Sequence, residues 1–321
     1  MSRLCHTHSE HAVTELRING VEIEDTFAEA FKMRAARLIV TAETQRWARL
    51  AATLVTGYAT SVIGCDAEAG MDGEVSPSET PDGRPGASLL FFAFNRTALG
   101  KALVNRLGQC VMTCPTTACF DGLGSGQEAV HVGRQLRYFG DGFQSSKKLN
   151  GRRYWRVPMM DGEFLCEESF AVQPAVAGGN FLLLGVDQAS TLAAAEAAVE
   201  AIGLRRGVLL PFPGGIARSG SKVGSRYKGL RASTNDPYCP TIRALTRTAL
   251  PREVNAVYEI VVNGLDLASV EDAMRVGIQA ACRPGLVRIT AGNYGGALGP
   301  YQVHLHQLLT SGEHADRQTD K

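Results

Sequence analysis

Residues 180–226 read NFLLLGVDQASTLAAAEAAVEAIGLRRGVLLPFPGGIARSGSKVGSR. The apolar run at 180–186 predicts a buried strand, and the alanine-rich segment at 188–202 predicts a helix. The short apolar run at 207–210 predicts a second strand, which leads into a loop rich in glycine and proline. A strand, a helix and a strand in this order predict a β-α-β unit.

The same order of elements occurs twice in each half of the chain. In the first half, the predicted elements are strand 37–41, helix 43–56, strand 58–64, strand 87–94, helix 97–107 and strand 109–113. In the second half, the elements that follow the opening stretch are strand 256–262, helix 267–282 and strand 286–291. The pattern therefore predicts an α+β fold of two similar ferredoxin-like (split β-α-β) lobes. We expect 38–113 to superpose roughly on 180–291.

Four segments follow from this organisation. They are an N-terminal tail at 1–17, a first lobe at 18–160, a second lobe at 161–309 and a C-terminal tail at 310–321. Polar ends of this kind are commonly poorly ordered. The first tail carries one cysteine and three histidines, Cys5, His6, His8 and His11. Their spacing fits a zinc site poorly, and a frayed tail is the better interpretation.

The start of the first lobe contains a strong turn signal. Asn19 and Gly20 lie between two β-rich runs, which predicts a hairpin closed by a tight turn. Asp25 or Thr26 is then expected to cap a short helix over 28–33. Between the two halves, β-rich runs broken by glycine turns predict further hairpins that extend the sheets.

Composition limits the classes of protein to consider. The chain has 321 residues, 45% hydrophobic, which allows a sizeable core, and its net charge of +1 argues against a nucleic-acid groove or a membrane surface as partner. No apolar run has the length of a membrane span, and the N-terminus lacks the features of a signal peptide. Eight cysteines without regular spacing are typical of reduced thiols. We therefore expect a soluble, cytoplasmic protein.

The loop at 210–226 is the first candidate for a functional site. Its backbone N–H groups and the side chains of Ser219, Ser221 and Lys222 can together bind an anion or a carbonyl oxygen. The spacing is not that of a P-loop. Taken alone, the loop is equally well interpreted as a long surface turn.

Glu259 is the second candidate, because it interrupts the apolar run AVYEIVV at 256–262. A carboxylate in such a strand either faces solvent at a sheet edge or is buried within the sheet. A buried carboxyl has a raised pKa and can act as both acid and base near neutral pH. The residues alone leave both interpretations open.

Two cysteines are candidates for a nucleophile. Cys114 and Cys239 each begin a Cys-Pro-Thr motif in a loop. A catalytic cysteine needs a base to activate it, and neither loop contains a histidine. Small buried hydrophobic residues are the better interpretation of both.

Nine segments then carry a resemblance to a known family. They are INGVEIEDTFAEAF (18–31), TPDGRPG (80–86), RLGQCVMTCPTTACFDG (106–122), YFGDGF (138–143), AGGNF (177–181), PFPGGIARSGSKVG (211–224), CPT (239–241), VNAVYEIVVNG (254–264) and ITAGNYGG (289–296). From about residue 18 to 309, the chain resembles formylmethanofuran:tetrahydromethanopterin formyltransferases. Both tails and a shorter segment after Gly224 depart from the archaeal pattern, which favours the bacterial form.

The resemblance implies an activity and an assembly. The family moves a formyl group reversibly between methanofuran and N5 of tetrahydromethanopterin, two carrier substrates, and uses no metal or prosthetic group. Its members are homotetramers with a cleft at a subunit interface. In methylotrophic bacteria, a member joins hydrolase subunits in a complex that works toward formate during formaldehyde oxidation.

The resemblance also assigns candidate roles to residues of this chain. Direct transfer passes through a tetrahedral adduct, for which Glu259 is the implied acid and base. The implied donors to the oxyanion are backbone N–H groups at Gly214 and Gly215, with Ser219, Ser221 or Asn293. Lys222, helped by Arg218 and Arg226, is implied to hold anionic tails, and Phe212 and Tyr294 to stack on the furan or pterin ring.

Two rival interpretations belong to other classes. The chain can be a catalytically silent scaffold subunit of a formyl-processing complex, although its intact glycine-rich loops and Glu259 argue against this. A cysteine-dependent acyltransferase or hydrolase ranks third.

Overall fold

The computed structural model of the chain describes residues 15–124 and 128–310. The cysteine and histidines at 5–11 lie outside these residues. Within them, the chain forms an α+β fold of two lobes, each a mixed sheet covered by helices. No helix of the described part is long and apolar enough to cross a membrane.

The first lobe is built from four strands and two helices. Its elements are β3 (Phe27–Thr41), α1 (Gln45–Thr56), β4 (Glu68–Val75), β5 (Gly86–Ala93), α2 (Arg96–Arg106) and β6 (Ala118–Asp121). Side by side, the strands lie in the order β4-β5-β3-β6. Thr44 and Asn95 begin the two helices, since each side chain accepts a hydrogen bond from a backbone N–H of the first turn.

The second lobe repeats this arrangement. Its elements are β11 (Phe170–Gly185), α4 (Gln188–Gly203), β12 (Val208–Leu209), β15 (Ala256–Gly264), α5 (Leu267–Ala281) and β16 (Leu286–Thr290). Its strands lie in the order β12-β15-β11-β16. Asp187 and Asp266 cap α4 and α5 in the same way as the caps of the first lobe.

The two lobes share one continuous sheet of 15 strands, because β3 pairs antiparallel with β11. The remaining strands extend it at its ends and flanks: β1 (Leu16–Ile18), β2 (Val21–Ile23), β7 (Glu128–Val130), β8 (Ser145–Leu149), β9 (Arg152–Met159), β10 (Gly162–Glu167) and β17 (Tyr301–His304). Two short helices, α3 (Val132–Leu136) and α6 (Leu305–Thr310), and a separate small hairpin, β13 (Ser221–Val223) with β14 (Ala232–Thr234), complete the described chain.

Each lobe has its own apolar core, and the chain crosses between the two cores. Val21, Ile23, Ala28 and Ala30, near the start of the described chain, are buried in the core of the second lobe. Phe170, at the start of β11, is buried in the core of the first lobe. The lobes are therefore interlocked, because each core contains residues from the start of a strand, β3 or β11, that continues into the other lobe.

Most elements predicted from the sequence are confirmed, including the hairpin at Asn19-Gly20, which joins β1 and β2. The helix expected over 28–33 is wrong, since these residues belong to β3. Backbone pairing of β3 with β11 and β17 overrides its helical propensity.

The strands expected at 58–64 and 109–113 are also wrong. The strand that follows α1 starts only at Glu68, and its glycine-rich sequence lacks the alternation typical of a strand. Residues 107–111 form a π-helical turn that continues α2, and the next strand starts at Ala118.

Candidate active site

Glu259 lies near the middle of β15, in the sheet of the second lobe. On one side it faces Leu182 of β11. On the other side the glycine-rich loop replaces a strand: the Ala217 N–H donates to the Glu259 carbonyl at 2.8 Å, and the Glu259 N–H donates to the Ala217 carbonyl at 2.9 Å. These two hydrogen bonds hold the glycine-rich loop against β15 at the position of Glu259.

A small cavity opens at this point. Its walls come from β11, β15, the glycine-rich loop and the loop after β14: Leu182, Ala217, Arg218, Ser219, Gly220, Asn235, Tyr238, Cys239, Val257, Tyr258 and Glu259. Its volume is about 40 Å³, which is room for about three water molecules. Pockets that enclose a whole small-molecule ligand are roughly ten times larger. The cavity therefore fits a group of a few atoms.

The Glu259 carboxylate has no hydrogen-bond or ion-pair partner among residues 15–124 and 128–310. Burial among apolar neighbours raises the pKa of Glu259 to about 7, since the charged form loses its hydration. At neutral pH such a group exists in both forms and can give or take a proton. Glu259 is partly buried and lies on an inner strand, between β11 and the glycine-rich loop, rather than at an exposed sheet edge.

Tyr294 lies in the loop that follows β16 and is close enough to Glu259 to sense its charge. Burial is the main reason that the pKa of the Tyr294 hydroxyl is raised, and the negative charges of Glu259 and Glu29 add to it. The residue is 39% exposed. Tyr294 therefore stands beside the cavity with part of its surface free.

The loop carrying Tyr294 is held by buried side chains. Asn293 donates from its amide nitrogen to the Thr26 hydroxyl (3.1 Å) and to the Phe27 carbonyl (3.0 Å). Asn180 of β11 binds both the N–H and the carbonyl of Gly292. The amide donors of Asn293, implied as a donor to substrate, are already engaged within the protein.

The turn at Phe212, Gly214 and Gly215 does not line the cavity. It is a short 3₁₀ turn at Pro213–Gly215 in which both glycines have positive φ, +62° and +78°. A Cβ on Gly215 would meet Val199 of α4 at 2.8 Å. These glycines therefore allow the chain to turn sharply and to pack on α4.

Ser221 and Lys222 lie one step further along, in the exposed strand β13. Lys222 forms an ion pair with Asp236, which joins the β13–β14 hairpin to the loop whose residues line the cavity. The hydrogen bond from Lys222, together with its charge, lowers the pKa of Asp236. Of the predicted site residues, Glu259 and Ser219 line the cavity, and Tyr294 lies close enough to Glu259 for its charge to raise the Tyr294 pKa. The other predicted residues do not line the cavity: Phe212, Gly214, Gly215, Ser221, Lys222 and Asn293.

The sequence points to the loop at 235–241 as a whole, but not to the roles of its individual residues in the site. Asn235 and Tyr238 belong to a loop whose cysteine is its conspicuous feature, and the Tyr238 hydroxyl bonds to Thr290. Leu182 lies opposite Glu259 only because of the strand register. The sequence pattern that points to this part of the cavity wall is a proline-containing loop with Asn, Asp and Tyr.

Neither candidate cysteine is arranged as a nucleophile. Burial raises the pKa of the Cys114 thiol, so that the reactive thiolate is disfavoured. Cys239 does line the cavity, but its sulfur interacts with the Asn235 carbonyl (3.3 Å) and the Thr234 hydroxyl (3.4 Å), and no histidine of residues 15–124 and 128–310 lines the cavity.

We expect Cys239→Ser and Cys114→Ala to keep kcat within about threefold of the wild type, because neither thiol has an activating base. Steady-state formyl transfer by the folded variants measures this. A variant that keeps its melting temperature and loses more than about a hundredfold in kcat would instead favour covalent catalysis.

Glu259 is a carboxylate of raised pKa beside a glycine-rich loop, on a two-lobed α+β fold. Such a site belongs to a protein that can exchange protons with a small group as it reacts. The chain belongs to the formylmethanofuran–tetrahydromethanopterin formyltransferase family. The family model of that description matches residues 16–159, and the model for its proximal lobe matches 162–308.

Named relatives agree with this membership. A formylmethanofuran–tetrahydromethanopterin formyltransferase of Methylococcus capsulatus is 56% identical over 91% of this chain and 99% of its own length. A component of the formyltransferase/hydrolase complex of Methylorubrum extorquens is 53% identical over 92% of this chain and 98% of its own length.

Two solved structures share the fold. The formyltransferase of Methanosarcina barkeri has a TM-score of 0.86 and 52% identity, covering 91% of this chain and 100% of that chain. The formyltransferase/hydrolase complex of Methylorubrum extorquens with methylofuran gives a TM-score of 0.89 and 53% identity, covering 92% of this chain and 99% of the matched chain.

Proposed function

We propose that this protein transfers a formyl group reversibly between formylmethanofuran and N5 of tetrahydromethanopterin. The observation that carries the proposal is Glu259, an unpaired carboxyl with a pKa of about 7 beside a cavity sized for a few atoms. The names of relatives at more than 50% identity over nearly their full lengths support the same activity.

The proposed reaction is direct transfer through a tetrahedral intermediate. The pterin N5 attacks the formyl carbon, and the carbonyl oxygen becomes an oxyanion. Ser219 and backbone N–H groups of the glycine-rich loop donate to this oxyanion. Glu259 takes the proton from N5 and gives a proton to the departing methanofuran nitrogen, so that one group serves both steps.

The dimensions of the cavity support a position of both carriers outside it. About 40 Å³ admits the formyl group but neither carrier. The furan and pterin rings then lie over the open face, where Tyr294 and Phe212 offer aromatic surfaces for stacking. Such an open face is consistent with a cleft that a second subunit completes.

The remaining candidates receive the following proposed roles. Gly214 and Gly215 set the entry of the loop, and Asn293 holds the loop of Tyr294 while presenting it to substrate. Ser221 lies at the mouth of the site. Lys222 contributes to an anionic tail site with Arg218 and Arg226, although its ion pair with Asp236 lessens its share.

We further propose that the two lobes are ferredoxin-like units, separated near 160/161 between tails at 1–17 and 310–321. The equal strand orders of the two lobes support this, and we expect β3, β4, β5 and β6 to superpose on β11, β12, β15 and β16, which moves the end of the first range from 113 to 121. The protein acts in the cytoplasm, in C1 metabolism toward formate, as a homo-oligomer or with hydrolase subunits. It needs no prosthetic group.

The deciding experiment is formyl transfer by the purified protein. Formylmethanofuran and tetrahydromethanopterin are mixed with the protein, and the formation of formyl-tetrahydromethanopterin is followed, with the reverse reaction also measured. Transfer above the uncatalysed rate is expected. No transfer by the folded chain, alone or with its complex partners, would favour the silent scaffold.

A stability measurement tests the environment of Glu259 independently of activity. Its folded pKa is raised above the unfolded value, so the folded chain binds the proton more tightly, and this carboxyl destabilises the fold as pH rises through about 7. Glu259→Gln has no charge to bury. We expect the variant to be more stable than wild type by about 1–3 kcal/mol at pH 8 and equal at pH ~4.5. An equal difference at both pH values would contradict the raised pKa.

A further inference from the structure

Beyond the hydrogen bonds of Asn180 and Asn293, the loop at 292–299 is held by one buried carboxylate, that of Glu29. Glu29 lies near the start of β3 and is 1% exposed. Its Oε1 accepts the backbone N–H groups of Tyr294 (2.8 Å) and Gly296 (2.5 Å), and its Oε2 accepts those of Leu298 (3.1 Å) and Gly299 (2.7 Å). Four donors converge on the two oxygens of a single side chain.

This arrangement keeps Glu29 ionised. Burial by itself would raise the pKa of Glu29, but the four N–H donors outweigh burial and lower it. An ionised carboxylate accepts from all four donors, whereas a neutral amide accepts with only one of its two ends. The clamp is therefore specific for a carboxylate of this length.

The clamped loop is the one that carries Tyr294 to the cavity. Tyr294 supplies the first of the four N–H groups, and its hydroxyl senses the charges of both Glu259 and Glu29. The loop also packs closely on β3, since a Cβ on Gly299 would lie 2.7 Å from the Ala30 carbonyl. One short segment, residues 292–299, thus connects Glu29 to Tyr294 and through it to the Glu259 carboxylate.

We propose that Glu29 is a positioning residue for formyl transfer, which acts by fixing the 292–299 loop so that the Tyr294 ring stays beside Glu259. Glu29 itself touches no substrate. The proposal rests on the proposed function, and it adds a residue of β3, two strands away from Glu259 in the sheet, to the set that determines the rate. Catalytic groups misplaced by about 1 Å lose as much as 10²-fold in rate.

A double-mutant cycle tests the proposal. Glu29→Gln is expected to lower kcat by about 10²-fold. In a Tyr294→Ala background the same change is expected to cost less than about threefold more, because the residue it positions is gone. Equal losses in both backgrounds would mean that Glu29 only stabilises the fold, and would overturn the proposal.

Glu68→Gln is the matched control for a buried carboxylate. Glu68 is 8% exposed and accepts from the Val62 N–H (3.1 Å) and the Asn263 amide (2.5 Å), but it lies between the lobes, outside the site. It is expected to lower the melting temperature with kcat unchanged. If Glu29→Gln does not fold, Glu29→Asp, which keeps the charge but cannot reach all four donors, is expected to show the same non-additivity at smaller size.

Amide hydrogen exchange separates this proposal from the proposed function. In Glu29→Gln, exchange in the peptide covering 292–299 is expected to accelerate relative to wild type and to Glu68→Gln, whatever the activity of the protein. Unchanged exchange there would overturn the clamp. A wild-type protein with a protected loop and no formyl transfer would instead overturn the proposed function alone.

Discussion

Glu259→Gln is expected to lower kcat for formyl transfer by about 10²–10⁴-fold, the usual contribution of a general acid–base. Glutamine keeps the shape of the side chain and a hydrogen-bond donor but cannot exchange a proton. Since the Glu259 carboxylate has no partner in the described part of the chain, its replacement breaks no bond of the fold. We therefore expect little change in KM for either carrier.

The matched control is Glu253→Gln, a change of the same chemistry at an exposed residue just before β15. It is expected to leave kcat as in the wild type. Rapid-quench measurement of a single turnover places the loss of Glu259→Gln in the chemical step. A folded Glu259→Gln enzyme with near wild-type kcat would mean that the substrate itself, or the glycine-rich loop, moves the proton.

Arg106→Met is expected to destabilise the fold by about 3–5 kcal/mol, because three carbonyl groups lose a charged donor, at about 1–3 kcal/mol for each buried acceptor left unsatisfied. The guanidinium of Arg106, at the end of α2, donates to three carbonyls at the end of α1, those of Val55 (2.9 Å), Gly57 (2.7 Å) and Tyr58 (2.7 Å). It also pairs with Asp66 at 2.5 Å. Methionine keeps the apolar stem but leaves these acceptors without a donor.

Urea or thermal unfolding measures this effect, and Arg205→Met is its control. Arg205 also pairs with an aspartate, Asp272, at 2.7 Å, but the two side chains are 38% and 41% exposed. An exposed pair contributes roughly 0–1 kcal/mol. Equal losses for the two variants would show that the carbonyl contacts of Arg106 add nothing.

The helices are predictable from the sequence because their signals are local. Asp187 and Asp266 precede apolar periodic segments, and the helices begin directly after them. β4 is not predictable, because contacts with distant residues, rather than its own sequence, make this segment a strand. A Cβ on its Gly70 would fall 2.2 Å from Leu209, and one on Gly73 would meet Arg206, so glycine serves contact with the second lobe rather than strand formation.

The residues of the candidate site also differ in how far the sequence predicts them. Glu259 is visible in the sequence as a charge within an apolar strand, and the glycine-rich loop by its composition. Glu29 has no such signal, since its four donors lie 265 to 270 positions away in the chain. The sequence predicts that Lys222 binds an anion, and only the folded hairpin brings Asp236 to it.

The crossing of the chain between the two cores constrains how the protein is made. Ribosomes deliver the N-terminus first, yet Val21, Ile23, Ala28 and Ala30 are buried by residues from 176 onward. These early residues must wait, with apolar side chains uncovered, until more than half of the polypeptide has emerged. The protein is therefore expected to need a chaperone most while only its first lobe has been synthesised. For the same reason, neither lobe is expected to fold as a separate fragment when the chain is cut near residue 160.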